Sequence, residues 1–271
     1  METDKTELIQ SEPNSVEEMS NVTKSAEIPQ IDSMECKSLV SYQRITPIEF
    51  LNRIYQFVPD ELCDKLYTYI WSRDNDNRNK RTNSFKISEL NKMMGIAKQI
   101  NVDSKNVSFS MGLIDHPLGT HERAKSSDIV AIPCLWCDID VANEVHGQNQ
   151  KLAPTIEIAR EIITAQLGKD LKPSLVIDSG YGIHAYWILN SLFKIESDED
   201  CKQFHGILET LQGIIRSNPQ GYFIDKTSDL SRMLRLPGTR NWKSGNKNDA
   251  PICKVVEASN TALKRQIQHL R

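Results

Sequence analysis

No stretch of the 271-residue chain approaches the roughly 18 consecutive apolar residues that a membrane-spanning helix needs. A membrane partner is therefore not expected. The N-terminus, METDKTELIQSEPNSVEE, lacks both the basic n-region and the apolar core of a secretory signal. Cysteine is sparse: Cys36, Cys63, Cys134, Cys137, Cys201 and Cys253 are scattered through the chain rather than grouped as a disulfide framework. Charge of one sign is also lacking, with 33 Lys and Arg against 36 Asp and Glu. Together with 39% apolar residues, these absences leave a cytoplasmic globular protein as the expectation and exclude secreted and membrane classes.

The near balance of charge hides an asymmetry. Residues 1–40 carry nine acids and three lysines, a net of −6, which leaves +3 of the total −3 for residues 41–271. The first 40 residues, rich in Glu, Ser and Asn and without apolar periodicity, read as a disordered acidic tail. A mildly basic body suits a polyanionic partner, though many enzymes of small metabolites share it.

Residues 41–100 read as a helical N-terminal region. Ile48, Leu51, Ile54 and Tyr55 recur at helical spacing after Thr46-Pro47, and the amphipathic stretch Leu62–Trp71 suggests a second helix after Pro59-Asp60. Arg73–Asn83 reads as a polar loop, and Ser88–Lys98 as a further helix. Residues 101–271 mix both periods. Strands are expected at Val107–Leu113, within Ile129–Val141, at Ser174–Asp178 and Ile183–Leu189, at Tyr222–Asp225 and at Pro251–Glu257. Helices are expected over Pro154–Leu167, with Pro154 in its first turn and Gly168 as its stop, over Ser197–Arg216 with Ser197 as cap, and around Asp229–Arg235. The fold class that follows is α+β with at least one hairpin.

Three segments carry chemistry. In IPCLWCDIDV, Asp138 and Asp140 are two apart on a strand and share one face, with Cα atoms roughly 6.5–7 Å apart. Such a pair can converge on hard cations, as two-metal phosphoryl-transfer sites require. A solvated strand face carries paired acids too, but these apolar flanks put the pair at a core edge, where uncompensated charge is costly. In Asp178-Ser179-Gly180-Tyr181-Gly182-Ile183-His184, a Gly-rich turn lets backbone N–H groups approach a phosphate and His184 follows on a strand. A plain hairpin turn before an ordinary histidine is the simpler reading of these residues alone, while a dinucleotide fingerprint is excluded because no helix follows. Around Phe223-Ile224-Asp225 and through Arg232, Arg235, Arg240 and Lys243, six basic side chains between 222 and 247 face only Asp225 and Asp229. Paired guanidiniums suit phosphate recognition; a basic surface loop reads equally from these residues alone.

In this order, LWCDIDV, SGYGIHAYW and FID, followed by DLSRMLRLPGTRNWK, resemble the motifs of the archaeo-eukaryotic primase superfamily, in particular the primase-polymerases of phages, plasmids and other mobile elements. The resemblance covers about residues 105–250. It implies an RNA-recognition-like (RRM-like) catalytic core and a template-dependent nucleotidyltransferase, a DNA primase or polymerase acting in replication of a mobile element or in repair. It implies two divalent cations, Mg2+ or Mn2+, on Asp138, Asp140 and Asp225, with His184 in the catalytic site. Ser179, Gly180, Gly182, His184, Arg232, Arg235 and Lys243 would bind nucleotide, with Tyr181 or Trp242 available for stacking. The implied partners are single-stranded DNA template and dNTP or NTP, with a helicase on a separate chain. One departure stands out. The family's second motif is often Ser-x-His, and Gly182 occupies the Ser position here, so either a backbone N–H or Ser179 would have to take that role.

Two other classes use similar residues. A metal-dependent nuclease or replication initiator also needs acids, histidine and basic groups, but a relaxase-type initiator would need an HxH metal cluster, which is absent. A non-catalytic RNA-recognition-like binding module would share the fold and have no use for a triphosphate. Cys134 and Cys137, an odd number apart on a strand and without a second Cys or His pair, do not form a zinc site.

Overall fold

The computed structural model describes residues 45–76, 78–146, 151–245 and 249–259; the expected tail lies outside them. The described residues all fall in one compact unit. Helix α1 (Pro47–Ile54) opens with a capping box, in which the Glu49 N–H donates to the Thr46 hydroxyl and the Thr46 N–H to the Glu49 carboxylate, with Pro47 at the first helical position. It leads into strands β1 (Tyr67–Arg73) and β2 (Arg81–Lys86), helix α2 (Leu90–Val102) and strand β3 (Asn106–Ser110). Then follow β4 (Ala131–Asp140), α3 (Ile156–Leu167), β5 (Leu175–Asp178), β6 (Gly182–Lys194), α4 (Asp198–Arg216), β7 (Met233–Arg235) and β8 (Lys254–Ala258).

The strands form two four-stranded sheets, β2-β1-β3-β7 and β4-β6-β5-β8, with every pair antiparallel. The expected α+β class holds. Phe50 of α1 joins the layers: its ring lies 5.8 Å from Phe109 on β3 and 5.3 Å from Tyr186 on β6, both edge-on, the preferred geometry for aromatic pairs. Behind β4, Phe204 of α4 meets Trp136 at 5.9 Å and Phe193 at 5.2 Å. Ser197 caps α4 by accepting from the Asp200 N–H, as its sequence suggests.

The N-terminal region departs from its helical expectation. Tyr67–Arg73, which begins within the expected Leu62–Trp71 helix and runs past its end, is a strand paired on both sides. Its run of Tyr, Thr, Tyr, Ile and Trp is β-branched and aromatic, and this preference with two-sided pairing overrides the helical spacing. The end of the expected 73–83 loop is likewise strand β2. Pro154 stands one residue before the cap of α3, Thr155, rather than in its first turn. Residues 222–225 are irregular, and the expected helix around Asp229–Arg235 is replaced by a turn and strand β7. Met233–Arg235 extends the edge of the first sheet by pairing with Ser108–Ser110, which satisfies backbone groups that an isolated helical turn would leave open.

Candidate active site

The long β4–β6 ladder sets the site. Asp138 faces His184 across it and Asp140 faces Gly182. The two acids project from one side of β4 by the period of two, with His184 directly opposite the first. His184 is 4% exposed, with Nε2 3.4 Å from Asp138 Oδ1 and Nδ1 3.3 Å from the Tyr186 hydroxyl. Burial, reinforced by the Arg235 and Arg232 charges, pushes the imidazole down to about 3 against the opposing pull of Asp140 and Asp178. The ring is therefore neutral at ordinary pH. Its partners assign Nε2–H as donor toward Asp138 and Nδ1 as acceptor from Tyr186, whose phenol burial holds protonated.

Gly182 explains the departure from Ser-x-His. A Cβ there would sit 2.4 Å from the Ile139 carbonyl oxygen and 2.9 Å from Asp140 Cα. The strands approach too closely at Asp140 for any side chain on β6. Gly180 is required for two reasons: its φ is +94°, and a Cβ would meet Pro251 Cγ at 2.5 Å. Its N–H donates to Asp178 Oδ1 at 2.8 Å. Ser179 closes the turn, its N–H donating to the Gly182 carbonyl at 2.9 Å; its own carbonyl accepts from Asn241 Nδ2 at 2.8 Å. The backbone of this turn thus braces the 241–251 segment as well as the hairpin.

Burial raises the carboxyls of both Asp138 and Asp140. At Asp138 the Arg232 charge opposes the rise and Asp225 adds to it. At Asp140 the Asp138 charge adds to burial, His146 and Lys243 oppose, and Asp225 adds again. Asp225, although exposed on an irregular segment, is thus close enough to act on both acids. A buried hydrogen-bond relay holds its segment. Fully buried Gln212 on α4 donates from Nε2 to the Trp136 carbonyl at 3.0 Å and accepts from the Thr227 N–H at 3.1 Å. The Trp136 indole donates to the Thr227 carbonyl at 2.7 Å. Gln212 so ties the strand two residues before Asp138 to the segment two residues after Asp225. It lies four residues beyond Leu208 on the buried stripe of α4; a polar residue on that stripe is the signal that could have found it.

The basic residues divide by partner. Arg232 lies between Asp138 Oδ2 and Asp229 Oδ2, 3.5 Å from each. Arg235, on β7, donates to Asn106 Oδ1 at 2.6 Å, which also accepts from the Trp242 N–H at 2.9 Å. Because Arg232 precedes β7 rather than sharing a helix with Arg235, the two reach the site from either end of one short strand segment, three residues apart. Lys243 Nζ lies 2.6 Å from His146 Nε2, whose ring is 3.3 Å from Asp140 Oδ1. His146 carried no spacing signal in the sequence. Trp242 is buried, its indole donating to the Asn101 carbonyl at 3.1 Å, so it is not available to stack on a base. Tyr181 is half-buried at the rim.

The donor set suits hard divalent cations: two half-buried carboxylates whose charges are disfavoured by burial and by Asp225 gain from positive charge at this point. Among the described residues no three His, Cys, Asp or Glu side chains form a group that could hold a metal ion by themselves, so the two carboxylates stand as an open pair. An open arrangement of this kind matches Mg2+, which keeps waters and takes substrate phosphates alongside one or two carboxylates.

No protein-family description and no curated protein matches the chain. Among solved structures, the AEP domain of the primase-polymerase (PrimPol) of cyanophage S-2L aligns with a TM-score of 0.55 at 13% identity, over 83% of this chain and 96% of that one. Primase RepB′ aligns at 0.49 and 13% identity, over 83% of this chain and 62% of its own. Its catalytic domain in complex with initiator DNA aligns at 0.49 and 14%, over 83% and 93%. No helix among the described residues is long and apolar enough to cross a membrane. The two antiparallel sheets and their helices thus share the fold of that phage primase-polymerase AEP domain.

Proposed function

We propose that the protein is a template-dependent nucleotidyltransferase, a DNA primase or polymerase that uses a two-metal displacement in replication of a mobile element or in repair. The observation that carries this reading is the cross-strand group of Asp138, Asp140 and neutral His184 on a primase-polymerase fold. Two divalent cations, Mg2+ or Mn2+, when bound, lower the pKa of the attacking 3′-hydroxyl and stabilise the leaving pyrophosphate. Asp138 and Asp140 would hold them from β4, with Asp225 as the third carboxylate. Neutral His184, a donor at Nε2, turns that hydrogen from Asp138 to an oxygen of the incoming triphosphate. Arg232, Arg235 and Lys243 neutralise phosphate charge on the nucleotide or the template. Tyr181 offers a ring at the rim for stacking a base of single-stranded DNA. dNTP or NTP is the second substrate.

The test is incorporation of labelled dNTP and NTP on a single-stranded template, with and without primer, beside cleavage of a labelled strand. Template-dependent incorporation supports the reading. Cleavage alone would assign a nuclease, and neither activity would leave a binding module.

A further inference from the structure

Asn106, at the start of β3, belongs to none of the motifs above, yet both polar atoms of its buried side chain are engaged. Oδ1 accepts from Arg235 Nη1 at 2.6 Å and from the Trp242 N–H at 2.9 Å. Nδ2 donates to Asn75 Oδ1 at 2.7 Å, and Asn75 Nδ2 in turn donates to the Trp242 carbonyl at 2.5 Å. The two amides and the Trp242 backbone thus close a circuit in which each donor meets an acceptor. Turning either amide over would set donor against donor or oxygen against oxygen, so the partners fix the orientation of Asn106.

The circuit joins two cations of the candidate site. Arg235 lies on β7, beside β3, and its charge bears on His184. Lys243 follows Trp242 in the short turn Trp242–Ser244, and its charge bears on both Asp138 and Asp140. The acceptor that holds Arg235 is a neutral amide, not a carboxylate. It sets the direction of the guanidinium fork without cancelling its charge. Burial lowers the pKa of that guanidinium even though Asp138 opposes the fall. A buried cation in this condition gains from an incoming anion.

We infer that Asn106 is a positioning residue, which sets Arg235 and the Lys243 segment as one clamp on the triphosphate of the incoming nucleotide. Arg235 is half-buried beside the carboxylates, where a compact phosphate chain reaches more readily than an extended strand backbone. This rests on the nucleotidyltransferase reading for the identity of the ligand and adds a neutral residue to its machinery. If Asn106 served packing alone, each variant's loss of nucleotide binding would follow its loss of stability.

The experiment is calorimetric titration of the full-length protein with dTTP in Mg2+, with single-stranded template affinity and Tm measured beside it. Asn106→Ala should weaken dTTP by about tenfold and change template affinity by less than about twofold. Asn106→Asp loses the bond to Asn75 but keeps both acceptances and pairs with Arg235. Its Tm should therefore exceed that of Asn106→Ala, yet it should bind dTTP more weakly still, because the clamp's charge is cancelled. In an Arg235→Gln background, Asn106→Ala should cost little more dTTP affinity, since residues that act through one another are not additive. Should Asn106→Ala not fold, Asn106→Asp against wild type decides: weakened dTTP at unchanged template affinity supports the inference, and wild-type dTTP affinity overturns it. Affinity for dTTP that follows Tm across the variants, or a full further loss in the Arg235→Gln background, would overturn the inference and leave the nucleotidyltransferase reading standing. A wild-type protein that binds no dTTP would overturn both.

Discussion

Asp138 Oδ1 and His184 Nε2 lie 3.4 Å apart across the β4–β6 ladder, in register. The pair joins an acid whose carboxyl burial raises to a base that burial keeps neutral. The ring is neutral, so this contact is an uncharged donor held against a carboxylate whose other oxygen faces Arg232. A group arranged this way can turn its hydrogen to a phosphate oxygen without first losing a proton.

The pH dependence of stability follows. With its folded value near 3 and an unfolded value of about 6.5, His184 binds more protons in the unfolded chain between those limits. Its contribution therefore falls as pH drops through that window and is restored as pH rises to the upper limit. Asp138 and Asp140, both raised, act with the opposite sign at the acid end and are common to wild type and variant. His184→Gln should make the fall of Tm between about pH 6.5 and 4 shallower. Parallel curves would mean that the ring is charged in the folded protein.

Gly182 is expected to tolerate no side chain. Gly182→Ser recreates the family's Ser-x-His pattern, yet its Cβ would press on the Ile139 carbonyl at 2.4 Å and force β4 and β6 apart beside Asp140. A Tm lower by several degrees, with loss of incorporation, is expected. Gly206→Ala, on the exposed side of α4 with nothing within 4 Å, should instead stabilise by about 0.5–1 kcal/mol. A Gly182→Ser protein as stable and active as wild type would show that the strands have slack.

The helical stripes and the second sheet were legible because their periods are long: α4 spans 19 residues and β6 spans 13. Asp138, Asp140 and His184 were legible because each sits on a strand whose alternation fixes its face. Strand β1 was not, since Leu62, Leu66 and Tyr69 also satisfy a helical spacing and only pairing on both sides decides. Strand β7 spans three residues, too short for any period. His146 and Gln212 act through partners 97 and 76 residues distant in sequence, and no local pattern encodes such contacts.

Gln212 should prove to be a positioning residue for Asp225. Gln212→Leu preserves bulk but leaves the Trp136 carbonyl and the Thr227 N–H without their buried partner, at a cost of about 1–3 kcal/mol. Incorporation should fall further than stability does, and template affinity should hold. Gln212→Glu adds a signature: its protonated form can donate and accept as glutamine does, so its relative activity should improve as pH falls. Activity that simply tracks the folded fraction in both variants would confine Gln212 to packing.

Incorporation by Asp138→Asn, Asp140→Asn and Asp225→Asn tests the two-metal account most directly. Each substitution keeps shape and removes charge from a cluster in which Asp225 raises the carboxyls of Asp138 and Asp140 and Asp138 raises that of Asp140, so folding should survive and metal-free stability should hold or rise. Template-dependent incorporation should fall by roughly 100-fold or more in each variant. The double variant Asp138→Asn/Asp140→Asn should be little worse than either alone, because groups that act as one unit are not additive. Retained incorporation in one variant would remove that residue from the site, and retained incorporation in all three would contradict the account.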